Sequence, residues 1–139
     1  MTVDGLLLDT CFALWLSAQQ PVAPSAVEQV TEVRRARGVI AVSAMTAWEI
    51  GVLVAKGRLP YIRSPLDWFG RFVKEGQVEV AGIDIELLIE SSFLPGNVHS
   101  DPADRIIIAT ARARNLAVVT RDRAILAYGA AGYVKTVRC

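Results

Sequence analysis

Four acidic residues of this 139-residue chain lie just beyond apolar segments predicted as strands, or in the helices that follow such segments: Asp9, Glu49, Asp104 and Asp122. Four carboxylates brought together would repel one another and raise one another's pKa, unless a divalent cation supplied the opposite charge. Sites built from carboxylate oxygens select hard ions such as Mg2+ or Mn2+, which keep several waters and bind phosphate oxygens. The four acids therefore predict a metal site that acts on a phosphate ester.

Each of these acids also has a simpler structural interpretation. An Asp after a strand, or in the first turn of a helix, caps the helix and stabilises its dipole, which would account for all of them except Glu49. Glu49 lies inside a helix, where a solvated Glu is ordinary. A fifth acid, Asp101, stands at the N-cap position before Pro102, and capping explains it fully. The metal hypothesis therefore rests on the set of four and not on any one member.

The segments that must position these acids predict short strands that alternate with helices. Strands are expected at residues 3–8, 39–42, 77–81, 116–120 and 133–137, and helices at 10–18, 25–37, 44–55, 65–76, 85–92, 102–114 and 122–128. Such alternation implies βαβ units with right-handed crossovers and a mostly parallel sheet flanked by helices. The predicted fold class is α/β, with three layers and one domain over residues 1–139. In such sheets ligands bind beyond the carboxyl ends of the strands, where the acids are expected.

The composition limits the classes of protein to which this chain can belong. Hydrophobic residues make up 53% of the chain and charged residues 21%, an apolar excess that predicts a folded domain with a partner surface. No stretch approaches the ~20 apolar residues needed to cross a bilayer, and no signal peptide is evident, so a cytoplasmic location is expected. Cys11 and Cys139 fit no metal-binding spacing and are expected to be free thiols. The net charge of +1 means that nucleic-acid binding must depend on local clusters of charge.

Four segments resemble the PIN-domain family and, within it, the VapC-like toxins of type II toxin–antitoxin systems. They are LLLDT at 6–10, SAMTAWEIG at 43–51, DPADRIIIATA at 101–111 and VVTRD at 118–122. The resemblance extends over nearly the whole chain and implies a PIN-like domain with endoribonuclease activity that depends on Mg2+ or Mn2+. It implies that the same four acids bind the metal and that Thr120 assists them. It also implies a homodimer and an antitoxin whose C-terminal segment occupies the active-site groove.

Basic residues next to the acids are candidate contacts for RNA phosphates or for antitoxin carboxylates. They are Arg105, Arg121 and Arg123. Arginine forms bidentate hydrogen bonds with such groups, although it is also common at solvated helix starts.

Aromatic residues and the single histidine are given structural interpretations. Trp15, Trp48 and Trp68 each lie in an apolar helical stripe, which favours core or interface anchors over base-stacking platforms. His99 is the only histidine and is expected to be a polar surface residue.

Three other functions are open. A haloacid-dehalogenase-like phosphatase would use Asp9 as nucleophile, but it needs a second Asp where Cys11 stands. A response regulator would use Thr120 and Lys135, yet the strand at 77–81 ends without a phosphoacceptor Asp. A non-catalytic PIN-like binding module is disfavoured because all four acids are intact. Metal-dependent RNA cleavage would distinguish among these functions.

Overall fold

The computed structural model describes residues 3–98 and 100–139, so the prediction for His99 lies outside the described residues. Within those ranges no helix is long and apolar enough to cross a membrane. The elements, in chain order, are β1 (Gly5–Leu8), α1 (Thr10–Ser17), α2 (Pro24–Arg35), β2 (Val39–Ser43), α3 (Ala44–Ala55), α4 (Pro65–Gly76), β3 (Glu79–Ala81), α5 (Ile85–Ser91), α6 (Pro102–Arg114), β4 (Leu116–Thr120), α7 (Arg123–Ala130) and β5 (Lys135–Arg138).

The ends of these elements differ from the predicted ones by two residues or fewer. The helix α2 ends at Arg35, before the predicted end at residue 37, because Arg37 adopts a left-handed conformation with a φ of 57°. Strand β5 begins at Lys135, the first residue that pairs with β4, and not at Tyr133. The side chain of Tyr133 instead stacks on Tyr128 at 4.9 Å between ring centroids. Local sequence patterns predict which elements form, whereas the exact residues at which they begin and end depend on contacts with the rest of the fold.

The five strands form one sheet in the order β3-β2-β1-β4-β5, and every pair is parallel. The predicted α/β class is confirmed, and the sheet is wholly parallel where a mostly parallel one was expected. The central strand is β1. The chain fills one side of it with β2 and β3, then crosses to the other side with β4 and β5, so a switch point lies between β1 and β4. Ligands of open parallel sheets bind at this position, beyond the carboxyl ends of the strands.

Alternate residues of the strands face two separate hydrophobic layers. Leu6 and Leu8 pack in the layer that includes residues of α1 and α2. Leu7 packs in the layer built by α6 and α7. Side chains that alternate in this way along a parallel sheet require helices on both faces. The three-layer arrangement predicted from the sequence follows directly from this alternation.

A third, smaller cluster lies away from the sheet. Its fully buried members are Leu14 of α1, Ile50 of α3 and Ile62 of the segment between α3 and α4. Partly buried apolar residues of α3, α4 and the segment between them surround it, and it includes no strand residue. The helix α3 and the segment that follows it therefore pack against α1 and α4, and not as part of either layer on the sheet.

The C-terminal end of α3 is fixed by a Schellman motif. The amide of Arg58 donates to the carbonyl of Leu53 at 2.9 Å, and the amide of Gly57 donates to that of Val54 at 3.0 Å. The φ of Gly57 is +72°, in the left-handed region that favours glycine. No atom lies within 4 Å of the position that a Cβ of Gly57 would take, so the demand for glycine there is conformational and not steric.

We expect Gly57→Ala and Gly70→Ala to change stability in opposite directions. Gly70 lies within α4 with open space around the position of its Cβ and no positive φ, so alanine should raise the free energy of unfolding by about 0.5–1 kcal/mol. Alanine at Gly57 must adopt the left-handed conformation and should lower it by about 1 kcal/mol. Urea unfolding followed by circular dichroism measures both, and equal shifts of the same sign would refute the assignment of the turn.

Candidate active site

Asp9 is the most enclosed of the acids. It directly follows β1 and caps α1, and only 8% of its surface is exposed. Its Oδ1 accepts a hydrogen bond from the amide of Thr10 at 2.8 Å, and its Oδ2 accepts one from Oγ1 of Thr120 at 2.7 Å. The amide of Asp9 donates to the carbonyl of Val119 at 3.0 Å. The carboxylate is therefore held at the β1–β4 switch point by both strands.

Thr120 links Asp9 to Asp122. It is the last residue of β4 and is fully buried. Its hydroxyl donates to Asp9 and accepts from the amide of Asp122 at 3.0 Å. Oδ1 of Asp122 in turn accepts from the amide of Ile125 at 3.0 Å and caps α7. One hydroxyl thus sets the relative position of two of the predicted acids.

Glu49 reaches the same region through two threonines. Oγ1 of Thr10 donates to Oε1 of Glu49 at 2.7 Å and lies 2.9 Å from Oγ1 of Thr46. Because the single hydroxyl proton of Thr10 goes to Glu49, Thr46 is the donor in the second bond. Thr10 and Thr46 were not among the predicted site residues, although Thr46 stands one turn before Glu49 on the same helix face. That spacing was the available signal.

Asp101 and Asp104 share the first turn of α6. Oδ1 of Asp101 accepts from the amides of Ala103 at 2.8 Å and Asp104 at 3.2 Å, so the predicted cap is present. Asp104 is half-buried and is not the cap. The two acids are therefore distinguished by what they do for the helix.

Burial and like charges act together on Asp104. Burial raises the pKa of its carboxyl most, and the charges of Asp101, Asp9, Asp122 and Glu49 raise it further, to about 7. Asp101 has the largest effect among these neighbours. The sequence suggested a set of four acids, whereas five carboxylates in fact affect one another. A carboxyl with this pKa is partly protonated at neutral pH, which is how a crowded acidic site lowers its own repulsion.

The pKa values of Asp9 and Glu49 shift in the same direction for the same leading reason. Burial raises both, and hydrogen bonds from Thr120 to Asp9 and from Thr10 to Glu49 oppose the increase. The charge of Asp101 adds to the increase at each. The threonines therefore stabilise the ionised carboxylates that the surroundings destabilise.

Cys11 is an exposed free thiol next to these acids. Burial of the thiol group raises its pKa most, and the charges of Asp9, Glu49, Asp104 and Asp122 contribute as well, to about 11 in total. The thiol therefore stays protonated at neutral pH, which excludes a thiolate nucleophile at this position.

Arg105, predicted to contact phosphates, makes structural hydrogen bonds. Its Nε donates to the carbonyl of Ser91 at 2.9 Å, and its Nη2 donates to that of Ser92 at 3.3 Å. These carbonyls end α5, where a cation also stabilises the helix dipole. Phosphate binding by Arg105 stays a prediction, and the phosphate would have to compete with both carbonyls.

Arg121 also holds the fold together. Its guanidinium lies 4.1 Å from the centroid of the Trp15 ring, and its Nη2 donates to the carbonyl of Cys139 at 2.9 Å. Of the three tryptophans, Trp15 and Trp68 are half-buried, but Trp48 is 61% exposed and is not a core residue. The core alternative for Trp48 was therefore wrong, because its position in an apolar stripe of α3 does not place it against another element.

The carboxylate oxygens that lie beyond the carboxyl ends of the strands are suitable ligands for a hard divalent cation. Carboxylates supply the oxygen ligands and negative charge that Mg2+ and Mn2+ require, and burial together with neighbouring charge raises the pKa of three of them, Asp9, Glu49 and Asp104. In the part of the chain that the structure describes, however, no three His, Cys, Asp or Glu side chains are already placed to bind one ion. Binding would require side-chain movements that bring the carboxylates together.

Solved structures share this fold over almost the whole chain. VapBC2 from Rickettsia felis, bound to a DNA fragment from its promoter, matches with a TM-score of 0.69 and 17% identity, over 96% of this chain and 98% of that one. DNA-bound VapBC from Salmonella typhimurium matches with a TM-score of 0.63 and 17% identity, over 99% and 98% of the two chains.

The sequence itself matches known proteins. Ribonuclease VapC22 from Mycobacterium tuberculosis is 30% identical over 122 residues, which are 85% of this chain and 87% of that protein. The model of the PIN domain matches residues 6–130 and so includes all five acids described above. The resemblance found in the four motif segments is confirmed, and the chain belongs to the PIN-domain family.

Proposed function

We propose that this protein is a VapC-like endoribonuclease, the toxin of a toxin–antitoxin pair, and that its cleavage of RNA depends on Mg2+ or Mn2+. The observation that carries the proposal is the half-buried carboxyl of Asp104, whose pKa burial and the charges of Asp101, Asp9, Asp122 and Glu49 raise to about 7. The similarity to ribonuclease VapC22 supports RNA as the substrate.

We assign Asp9, Glu49, Asp104 and Asp122 as the residues that would hold the cation. When bound, the cation would stabilise negative charge on the phosphate and lower the pKa of an attacking water. Asp101 is kept as the cap of α6 and as a source of negative charge.

The threonines orient the acids before any ligand arrives. Thr120 fixes one oxygen of Asp9, and Thr10 fixes one oxygen of Glu49, so both carboxylates are preorganised at little further entropic cost. Asp104 retains a proton near neutral pH in the free protein and would release it when a cation binds, because ligands must be deprotonated. The bound cation would therefore balance part of the negative charge that substrate phosphates meet.

The phosphatase alternative finds no support in the geometry of Asp9. A carboxylate nucleophile needs a free oxygen directed at the phosphate, whereas both oxygens of Asp9 accept hydrogen bonds and the residue is buried. We therefore assign Asp9 the role of an oriented ligand and not that of an attacking group.

We further propose an antitoxin protein and a second copy of the chain as partners. The antitoxin is suggested by the solved VapBC complexes that share this fold. The second copy is suggested by the surface of α5, where Ile85, Leu88 and Ile89 are exposed at helical spacing, and by exposed Phe93 just after the helix. An apolar stripe of this size on an isolated monomer would be costly, and self-complementary helix faces commonly form twofold interfaces.

We expect purified protein to cleave RNA with Mg2+ or Mn2+ and to be inactive in EDTA. Asp104→Asn should lower kcat/KM by more than about a hundredfold, because it removes a proposed ligand. Asp101→Asn should lower it by less than about tenfold, because Asn caps a helix as well as Asp does. Gel-based cleavage of a labelled RNA measures both. Activity in EDTA, or equal losses with folding intact, would overturn the assignment.

The metal-free protein should lose stability as pH rises from about 4 to about 7. The pKa of Asp104 is raised from 3.8 to about 7 on folding, so between these pH values the folded state binds more protons than the unfolded state. The free energy of unfolding therefore falls as pH rises through this window. Asp104→Asn lacks this group, so its stability relative to wild type should increase with pH up to about 7 and then level off. Asp104 suits this test better than Asp9, whose replacement by Asn would also disturb the hydrogen bond from Thr120.

Thermal melts in EDTA between pH 4 and 8 measure this difference, and added Mn2+ should stabilise wild type more than Asp104→Asn at pH 7. A difference between the two proteins that does not change with pH would show that the pKa of Asp104 is not raised in the folded protein.

We expect a dimer in solution at micromolar concentration, held by the exposed stripe of α5. Ile89→Glu places a charge in that stripe and should give a monomeric mass by light scattering. Gln29→Glu adds the same charge to the exposed surface of α2 and should leave the dimer intact. A monomeric wild type would contradict the proposed dimer, and a dimeric Ile89→Glu would place the interface elsewhere.

A further inference from the structure

The segment between α3 and α4 is locally basic in a chain whose net charge is only +1. No Asp or Glu occurs from Ile50 to Leu66, whereas Lys56, Arg58 and Arg63 all lie in this stretch. We refer to residues 56–63 as the basic loop. Tyr61 lies between its cations along the chain. The basic loop therefore combines positive charge with an aromatic ring.

The charged groups of the basic loop are exposed and have no partners in the fold. Lys56, Arg58 and Arg63 are all solvent-exposed, and Tyr61 is 62% exposed. Across the residues that the structure describes, none of the three cations forms an ion pair or a side-chain hydrogen bond. The guanidinium groups of Arg105 and Arg121, in contrast, donate hydrogen bonds to backbone carbonyls. The basic loop is thus a surface whose charge the fold itself does not use.

Packing places the basic loop beside the acidic site. Ile62 is buried against the cluster that includes Ile50, the residue after Glu49, and Leu14, one turn after Thr10. Lys56 follows Glu49 by seven residues, which is two helical turns, so it lies roughly 10 Å further along the axis of α3 and close to the same face. The basic loop and the helices that carry Thr10 and Glu49 therefore pack on one shared cluster.

The backbone of the basic loop is held in place at both ends. The Schellman motif fixes Lys56 and Arg58 on either side of Gly57, and buried Ile62 anchors the loop between its exposed neighbours Tyr61 and Arg63. Little backbone entropy would be lost when a ligand binds to such a surface.

A polyanionic substrate has to approach five carboxylates, and that approach is unfavourable without cationic groups nearby. A single strand bound at the acids extends over several nucleotides, so exposed cations roughly 10 Å further along α3 can contact other phosphates of the same strand. We infer that the basic loop binds the RNA backbone to one side of the cleaved bond, with Tyr61 stacked on an unpaired base. This inference rests on the proposed ribonuclease function and adds the surface that holds its substrate.

Single-stranded RNA fits the basic loop better than an acidic protein segment does. Surfaces that bind single strands combine cations that follow the phosphates with aromatic rings on which bases stack. An acidic peptide would use the cations alone and would gain nothing specific from an exposed tyrosine ring. The presence of Tyr61 among the cations therefore favours RNA.

Two matched pairs of substitutions test the basic loop. Arg58→Gln/Arg63→Gln removes two charges from it, and Arg35→Gln/Arg37→Gln removes two exposed charges before β2, at the opposite edge of the sheet. The first pair should raise KM by about tenfold or more at low salt with little change in kcat. It should also reduce the slope of log affinity against log salt by about 1.4, since two phosphate contacts are lost. The second pair should change KM by less than about twofold.

Substitution of Tyr61 tests stacking separately from charge. Tyr61→Ala should weaken binding of a labelled, unstructured RNA by about fivefold or more in fluorescence anisotropy, and Tyr61→Phe should bind like wild type because its ring is retained. Equal effects of the two arginine pairs, or equal binding by Tyr61→Ala and Tyr61→Phe, would overturn the inference. Polyglutamate serves as a probe for acidic protein segments. If Arg58→Gln/Arg63→Gln lost binding of polyglutamate but bound RNA like wild type, the basic loop would be a surface for acidic protein, and the inference would also be overturned.

These outcomes are separable from failure of the proposed function. If wild type cleaves RNA and the two arginine pairs behave alike, the basic loop is not the RNA surface and the ribonuclease function stands. If wild type cleaves no RNA with either metal, the proposed function fails, and the anisotropy measurements then decide RNA binding by the basic loop alone.

Discussion

The burial of carboxylates close to one another is the constraint on which the candidate site depends. Asp9 is buried at the end of the central strand, and Thr120 and the amide of Thr10 supply the hydrogen bonds that keep its charge tolerable there. At Asp104, burial and the charges of neighbouring acids raise the pKa of the carboxyl to about 7. A fold that only needed stability would not gather acids in this way. The acids lower the stability of the fold at the edge of the sheet where ligands of open parallel sheets bind.

The topology explains why residues far apart in the chain meet at this edge. Because β1 has β2 on one side and β4 on the other, the residues that follow all three strands come together. Asp9 and Thr120 are separated by 111 positions and still share a hydrogen bond. Glu49 arrives by a different route, on a helix that leaves the sheet and packs against α1. The site therefore joins a rigid sheet edge to a helix that has its own small core.

Most element positions could be predicted from the sequence because the signals are local. Ser43, Asp84 and Asp101 cap α3, α5 and α6, and residues of these types mark helix starts in a sequence. Apolar runs mark the strands in the same local way. The four acids could be selected because each follows such an element. The contacts of Arg105 with the end of α5, and the effect of Asp101 on Asp104, could not be predicted. Both depend on side-chain directions and distances across elements, which periodicity and capping do not encode.

The small cluster of Leu14, Ile50 and Ile62 has a consequence for the stability of the active conformation. The two layers on the sheet each bury about a dozen side chains, whereas this cluster has three fully buried members. Opening of α3 away from α1 would break it and part Glu49 from Thr10 while both layers stayed intact. Such partial opening requires less free energy than global unfolding. The position of Glu49 beside Thr10 thus depends on the packing of one helix on this small cluster.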